Sequence, residues 1–260
     1  MDYTTLRFEL TDGVGKITLN RPDAFNAMNL AMVRELYDVT RRCDDDSAVR
    51  AVLLTGAGKA FCAGGDLRSF AAEDEEIGAH LKDVTTALHD AISRMARMDA
   101  PVIAAVNGAA AGGGMALACA CDLIVAGESA RFTMAYTRAG LTPDGSSTFF
   151  LPRLVGLGRA LDLALTNRTL SAAEAESWGL VSHVVPDVDL LPTAERLASE
   201  FAAGATAALG GAKRLLIGGW NETLETQMAR ESRRIARAAE GAEAREGIAA
   251  FLEKRPPRFG

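Results

Sequence analysis

An α/β fold followed by an all-helical C-terminal region is what this sequence predicts, and three observations predict it. Residues 51–55, 102–106 and 123–126 are short continuous apolar runs, which read as strands buried on both faces of a parallel sheet. Between the first two lies a helical stretch, residues 75–98, in which Ile77, Leu81, Val84, Leu88, Ile92 and Met95 recur at steps of three and four. From Leu190 onward the spacing is helical throughout, with no strand signal. Alternating strands and helices place the first part in the α/β class. We divide the chain into a core over residues 1–195 and a helical region over 196–260.

The other elements follow in order. Residues 6–10 and 14–19 flank Asp12-Gly13, a hairpin signal, and Asn20-Arg21-Pro22 ends the second strand. Asn29 caps a helix whose inward positions include Val33, Leu36, Tyr37 and Thr40, and Asp44-Asp45-Asp46 stops it. Gly56-Ala57-Gly58 is a turn, and Asp99-Ala100-Pro101 breaks the long helix. Residues 108–114 are rich in glycine and alanine, and 115–120 are helical. A helix covers 158–166, Ser171-Ala172-Ala173-Glu174 is a capping box, and 181–185 is the last strand. Arg230, Arg233, Arg234 and Arg237 lie at helical spacing in the tail and read as a solvated helix face.

Composition narrows the function. With 260 residues, 48% of them hydrophobic, the chain builds one sizeable core. A net charge of −6 and a pI near 5.2 argue against general nucleic-acid binding, although a local basic cluster still serves an anionic ligand. Cys43, Cys62, Cys119 and Cys121 form neither a C-x-x-C pair nor a zinc spacing, so they read as reduced thiols of a cytoplasmic protein, with no metal. Met1-Asp2-Tyr3-Thr4-Thr5 shows no signal-peptide pattern, and no apolar run reaches the roughly 20 residues of a membrane span.

Two segments repeat one design. Residues 51–56 lead to Cys62-Ala63-Gly64-Gly65-Asp66-Leu67, and residues 102–108 lead to Ala111-Gly112-Gly113-Gly114-Met115. Each is a buried strand, a small-residue loop and a helix start. Small residues let a ligand approach the backbone, and a helix's first turn presents amides with no internal partner at its positive end. Two such loops face to face would aim two N–H groups at one oxygen. Either loop alone reads as tight strand-to-helix packing; their repetition points to function. Walker, G-x-G-x-x-G and G-x-S-x-G patterns are absent.

Residues 61–67, Asn107-Gly108 with Gly112-Gly113-Gly114, Leu141-Thr142-Pro143-Asp144, residues 170–175, Trp178-Gly179-Leu180-Val181 and residues 251–255 together resemble the enoyl-CoA hydratase/isomerase (crotonase) superfamily over nearly the whole chain. The resemblance implies a spiral of ββα units, a C-terminal region that assembles a homotrimer or a dimer of trimers, and acyl-CoA thioester substrates of the kind met in fatty acid metabolism. It implies no cofactor, CoA being part of the substrate. It assigns the carbonyl-binding amides to Ala63 and Gly113, and it places Ala63, Gly64, Gly65, Asp66 and Leu67 along the CoA and thioester site.

Two departures matter. Hydratases of this superfamily use two glutamates; the first belongs at Ala116, and the second, in the strand after Phe132, at Tyr136. Asp144 instead resembles the single carboxylate of the 1,2-epoxyphenylacetyl-CoA isomerase branch, where it moves a proton, and of 4-chlorobenzoyl-CoA dehalogenase, where it attacks the ring. His89 and residues 165–170 also look like the dehalogenase, whereas Tyr136 replaces a tryptophan of that enzyme. From local sequence Asp144 reads as a turn or cap residue and Asp66 as a helix cap; His89 reads as a packing residue or a site residue, and Tyr136 as pocket lining. The sequence-level reading is double-bond isomerisation with Asp144 as acid and base. A dehalogenase-like hydrolase with Asp144 as nucleophile, and a silent acyl-CoA-binding protein, are the alternatives.

Overall fold

A computed structural model describes residues 3–259; Met1 and Asp2 of the N-terminal segment read above lie outside them. The chain order begins β1 (Leu6–Thr11), β2 (Val14–Leu19), α1 (Leu30–Asp45), β3 (Ala51–Gly56), β4 (Ala60–Cys62), α2 (Leu67–Ala71) and α3 (Ile77–Met95). It continues β5 (Val102–Val106), β6 (Ala109–Ala111), α4 (Gly113–Cys119), β7 (Leu123–Gly127), β8 (Arg131–Thr133), α5 (Ser147–Val155) and α6 (Leu157–Thr166). Then come β9 (Leu170–Ser171), α7 (Ala172–Ser177), β10 (His183–Val185), α8 (Leu190–Ala202), α9 (Thr206–Gly219), α10 (Leu224–Ala239) and α11 (Ala242–Glu253).

Two sheets share the strands by turns. The larger runs β1-β2-β3-β5-β7-β10, parallel except for the β1–β2 hairpin, and the smaller runs β4-β6-β8-β9. Each of β3, β5 and β7 is followed at once by a short strand in the second sheet, which is the ββ step of a ββα spiral. These short strands, and α5, carry no periodicity in the sequence and were not anticipated.

The core explains the continuous apolar runs. Val52, Leu54, Val102, Ala104 and Val106 face the cluster built on α1 and α3. Their alternate neighbours Ala51, Leu53, Ile103, Ala105 and Val125 face Leu190, Ala194, Ala198 and Ala202 of α8. A strand buried on both faces has no reason to alternate in polarity. Helix α8 therefore covers one face of the large sheet, and the 195/196 division falls within it. Helix α9 is tied down by buried Lys213, whose Nζ donates to the Met95 carbonyl at 2.6 Å and to Asp122 at 2.7 Å. Local signals are met where the sequence carries them. Asn29 accepts from the Met32 amide at 3.0 Å, the Ser171–Glu174 capping box is reciprocal, and α3 is shorter at both ends than the 75–98 reading.

Candidate active site

The two glycine loops meet in space. The first leaves β4 for α2, and the second leaves β6 for α4. A Cβ on Gly64 would lie 3.3 Å from the Gly113 nitrogen and 2.8 Å from the Ala111 carbonyl oxygen; one on Gly114 would overlap the Cys62 carbonyl. Gly64, at φ +97°, and Gly112, at φ +49°, also hold backbone that L side chains rarely adopt.

Which amides remain available differs from the sequence assignment. The Ala63 N–H donates to the Phe25 carbonyl at 3.0 Å, and the Asp66 N–H donates to the Met28 carbonyl at 2.9 Å. The Gly64 carbonyl accepts from the Met28 N–H at 2.7 Å. Ala63 is thus no free donor: residues 25–28 run beside the first loop as a strap and take its outer hydrogen bonds. The strap is anchored by buried Asn26, whose Nδ2 donates to the Ala57 and Ala60 carbonyls. Gly64 and Gly65 keep amides with no partner among the described residues. A planar trans peptide turns the Gly65 N–H opposite to the Gly64 carbonyl, away from the strap. In the second loop Gly112 donates to the Thr133 carbonyl at 2.9 Å, and Gly113, first residue of α4, is left without a partner among the described residues.

A cavity of about 330 Å³ opens beside these amides. Ala63, Gly64, Gly65, Leu67, Gly113, Tyr136 and Asp144 line it, so the fold brings most of the sequence-derived site together. The sequence reading missed Met28, Phe70 and the stretch of α3 where Leu81, Val84 and Leu88 form a wall. The α3 residues belong to that helix's apolar stripe, which periodicity alone does not distinguish from ordinary core. Lys82 is the one cation on that wall among the described residues.

Asp66 and His89 do not line the cavity. Asp66 caps α2 by accepting from the Ser69 amide at 3.3 Å and pairs with Arg21 at 2.9 Å. His89 is exposed on α3, and its Nε2 accepts from the Gly145 N–H at 3.2 Å, bracing the loop that bears Asp144 from behind.

Asp144 itself is firmly placed. Its backbone carbonyl accepts from the Ser147 amide at 3.0 Å, the Ser147 hydroxyl at 2.8 Å and the Tyr136 hydroxyl at 3.4 Å. The cap position of α5 is Ser146, and no side chain caps that helix, so the cap reading of Asp144 is not realised. Gly145 and Ser146, at φ +58° and +63°, turn the chain sharply after it. Tyr136 stands in a 3₁₀ turn, Tyr136–Ala139, not in the strand after Phe132, because β8 ends at Thr133 and Ala135 bends the chain at φ +55°. Burial chiefly, and then the neighbouring Asp144 charge, push the Tyr136 pKa strongly upward, so its hydroxyl stays protonated and donates. Ala116 lies under the Asp144 loop: a Cβ on Gly145 would come within 3.0 Å of the Ala116 methyl.

Burial raises the thiols of Cys43, Cys62 and Cys119 to about 12, which leaves them protonated and unreactive at neutral pH. Among the described residues no group of three or more His, Cys, Asp or Glu is placed to hold a metal.

Residues 9–260 match the Enoyl-CoA hydratase/isomerase family. This chain belongs to that family. It is 42% identical over 259 residues to a probable enoyl-CoA hydratase of Rhodobacter capsulatus, covering 100% of this chain and 99% of that one. It is 40% identical over 248 residues to 1,2-epoxyphenylacetyl-CoA isomerase of Escherichia coli, covering 95% of each. The solved structure of a putative enoyl-CoA hydratase from Streptomyces coelicolor superimposes with a TM-score of 0.94 at 36% identity, over 100% of this chain and 95% of that one. The crotonase fold and an acyl-CoA enzyme are therefore established. Among the described residues no helix is long and apolar enough to cross a membrane.

Proposed function

We propose that this crotonase-family enzyme shifts a double bond in an enoyl-CoA, with Asp144 carrying the proton. The thioester oxygen sits between the amides of Gly65 and Gly113. The observation that carries this reading is that Asp144 is the only acid among the described residues lining the apolar cavity. Hydration by the paired-glutamate route needs two carboxylates; moving a proton from one carbon to another needs one, which takes it and gives it back. As the proton leaves, negative charge gathers on the thioester oxygen. Two preorganised amides facing that oxygen each lower the barrier by about 3–4 kcal/mol. Tyr136 and His89 keep the carboxylate in place. The chemistry asks for no metal or redox cofactor, and CoA arrives with the substrate. Ile235, Phe251 and Leu252 of the tail are 72%, 82% and 74% exposed, which supports assembly of copies through this region.

The test compares wild type with Asp144→Asn on 3-enoyl-CoA and 2-enoyl-CoA. Wild type is expected to interconvert them, and the variant to bind them while losing roughly 10²–10⁴-fold in kcat. Equal rates in the two proteins remove Asp144 from the mechanism. Water addition without a double-bond shift turns the assignment to hydration by a single acid. Halide release from 4-chlorobenzoyl-CoA with an aryl adduct on Asp144 turns it to the dehalogenase chemistry, and binding of many esters with no turnover makes the chain a binding protein.

A further inference from the structure

A second cavity of about 330 Å³ lies between α9 and α10, and its walls carry five guanidinium groups: Arg214 from α9, and Arg230, Arg233, Arg234 and Arg237 from α10. It shares no lining residue with the acyl cavity. The acyl cavity uses α3 from Gly78 to Leu88, whereas Arg214 donates to the Arg97 carbonyl at 2.6 Å and pairs with Asp99 at 2.5 Å, beyond the C-terminal end of that helix. The helical steps from Leu88, the last residue of α3 to line the acyl cavity, to Met95 put about 10 Å between the two regions along that helix.

The arrangement is electrostatically lopsided. Positions 230, 233, 234 and 237 fall on one helix face, so each arginine neighbours another of the same charge. The chain has acids in excess, 34 against 28 basic residues, yet few are directed here. Asp99 pairs with Arg214, and Glu222 pairs with Arg230 at 2.6 Å. Among the described residues, Arg233, Arg234 and Arg237 have no carboxylate partner. The wall opposite them is rigid: Arg214 is held at both ends of its fork, and the adjacent Lys213 is buried against Asp122 and the Met95 carbonyl. Gly211 forms the floor. A Cβ there would stand 3.1 Å from the Arg234 Nε, so its lack of a side chain lets that guanidinium lie against α9.

We infer that this cavity is a binding site for a phosphate-bearing anion of two or more charges. A guanidinium offers a planar fork of donors that matches phosphate oxygens two at a time. Three forks without acid partners, beside the paired Arg230 and opposite the paired Arg214, call for more negative charge than one carboxylate brings. The volume accommodates a small ligand. A free nucleoside diphosphate and the nucleotide end of a CoA ester present the same chemistry. The site stands apart from the acyl cavity and does not depend on the reaction carried out there.

The full-length chain is titrated calorimetrically at low salt with ADP, adenosine 3′,5′-bisphosphate and inorganic pyrophosphate. The same titrations are run on the triple variant Arg233→Gln, Arg234→Gln, Arg237→Gln. Wild type is expected to bind at one saturable site per chain, more weakly as salt rises, and the triple variant to lose roughly tenfold or more in affinity. Preference for adenosine 3′,5′-bisphosphate names the CoA nucleotide as the source, preference for ADP names a free nucleotide, and equal binding of all three names the phosphates alone; each upholds the site. If the triple variant does not fold, Arg233→Gln and Arg237→Gln, both on exposed side chains, carry the same test singly with a smaller loss of affinity. No saturable uptake by wild type, or uptake unchanged by the substitutions, overturns the proposal. So does a triple variant that sediments as a smaller species while wild type takes up no probe, because the arginines then face a second copy.

Discussion

The two glycine loops read alike and are held in opposite ways. The first is gripped from outside. Phe25 and Met28 of the strap take its hydrogen bonds, Arg21 pairs with its Asp66, and the helix it opens, α2, is only five residues long. The second is gripped from within. Helix α4 is buried along its whole length and has no side-chain cap, and Gly112 turns straight into it. A small-residue motif announces that backbone comes close to a ligand. Which N–H is left over depends on what the neighbouring chain has already taken: in the first loop the strap occupies the Ala63 amide and leaves those of Gly64 and Gly65 without a partner among the described residues, as Gly113 is in the second.

The largest effect that separates the loops is one of stability. At Gly114 an added Cβ meets the Cys62 backbone carbonyl and comes within 2.7 Å of the Cys62 Cβ, atoms that no side-chain rotation moves aside. Gly114→Ala is expected to cost about 3 kcal/mol, seen as a lower urea midpoint. Gly113→Ala meets only the Met28 Cε at 2.6 Å, the far end of a flexible side chain. Gly65→Ala meets the Phe70 ring, also at 2.6 Å. Both are expected to fold and to lose turnover, because the displaced side chains belong to the cavity wall. A Gly114→Ala protein as stable as wild type would break the claim that the core holds the second loop.

A middle-sized effect concerns the Asp144 loop. Removing the acceptor in His89→Ala frees the Gly145 amide, and kcat is expected to fall roughly tenfold with KM little changed. His89→Gln keeps an acceptor and is expected to recover part of that loss. Equal loss in the two variants would show that the hydrogen bond does not position the loop.

Elements with their own periodicity or cap were legible in the sequence: the Asp12-Gly13 hairpin, the Asn29 cap, the three buried strands and the amphipathic α3. Strands β4, β6 and β8 were not. Three residues cannot establish a period, and β4 and β6 sit beside glycine loops. The site was legible as far as residue identity reaches: Gly113, Asp144 and Tyr136 do converge on one cavity. Loss of the Ala63 donor was not legible, because it depends on left-handed backbone at Phe25 and Asn26, at φ +50° and +56°, which sends the strap alongside the loop. The same holds for His89, whose sequence neighbours place it by the apolar stripe while its ring turns outward to Gly145.

The smallest effect sharpens the comparison most finely. Asp66 accepts from the Ser69 amide and pairs with Arg21, and Arg21 also donates to the Ala27 carbonyl in the strap. Cap and ion pair can be separated. Asp66→Asn keeps an oxygen for the cap and removes the charge; Asp66→Ala removes both. With the two side chains 23% and 14% exposed, the ion pair is partly screened, so the Asn variant is expected to cost well under 1 kcal/mol, and less at high salt. The Ala variant is expected to cost about 1 kcal/mol, with a salt-independent remainder from the cap. Urea melts of both variants at low and high salt read the difference directly. If the two cost the same at every salt concentration, the cap contributes nothing, and the first loop is held by the strap's backbone alone.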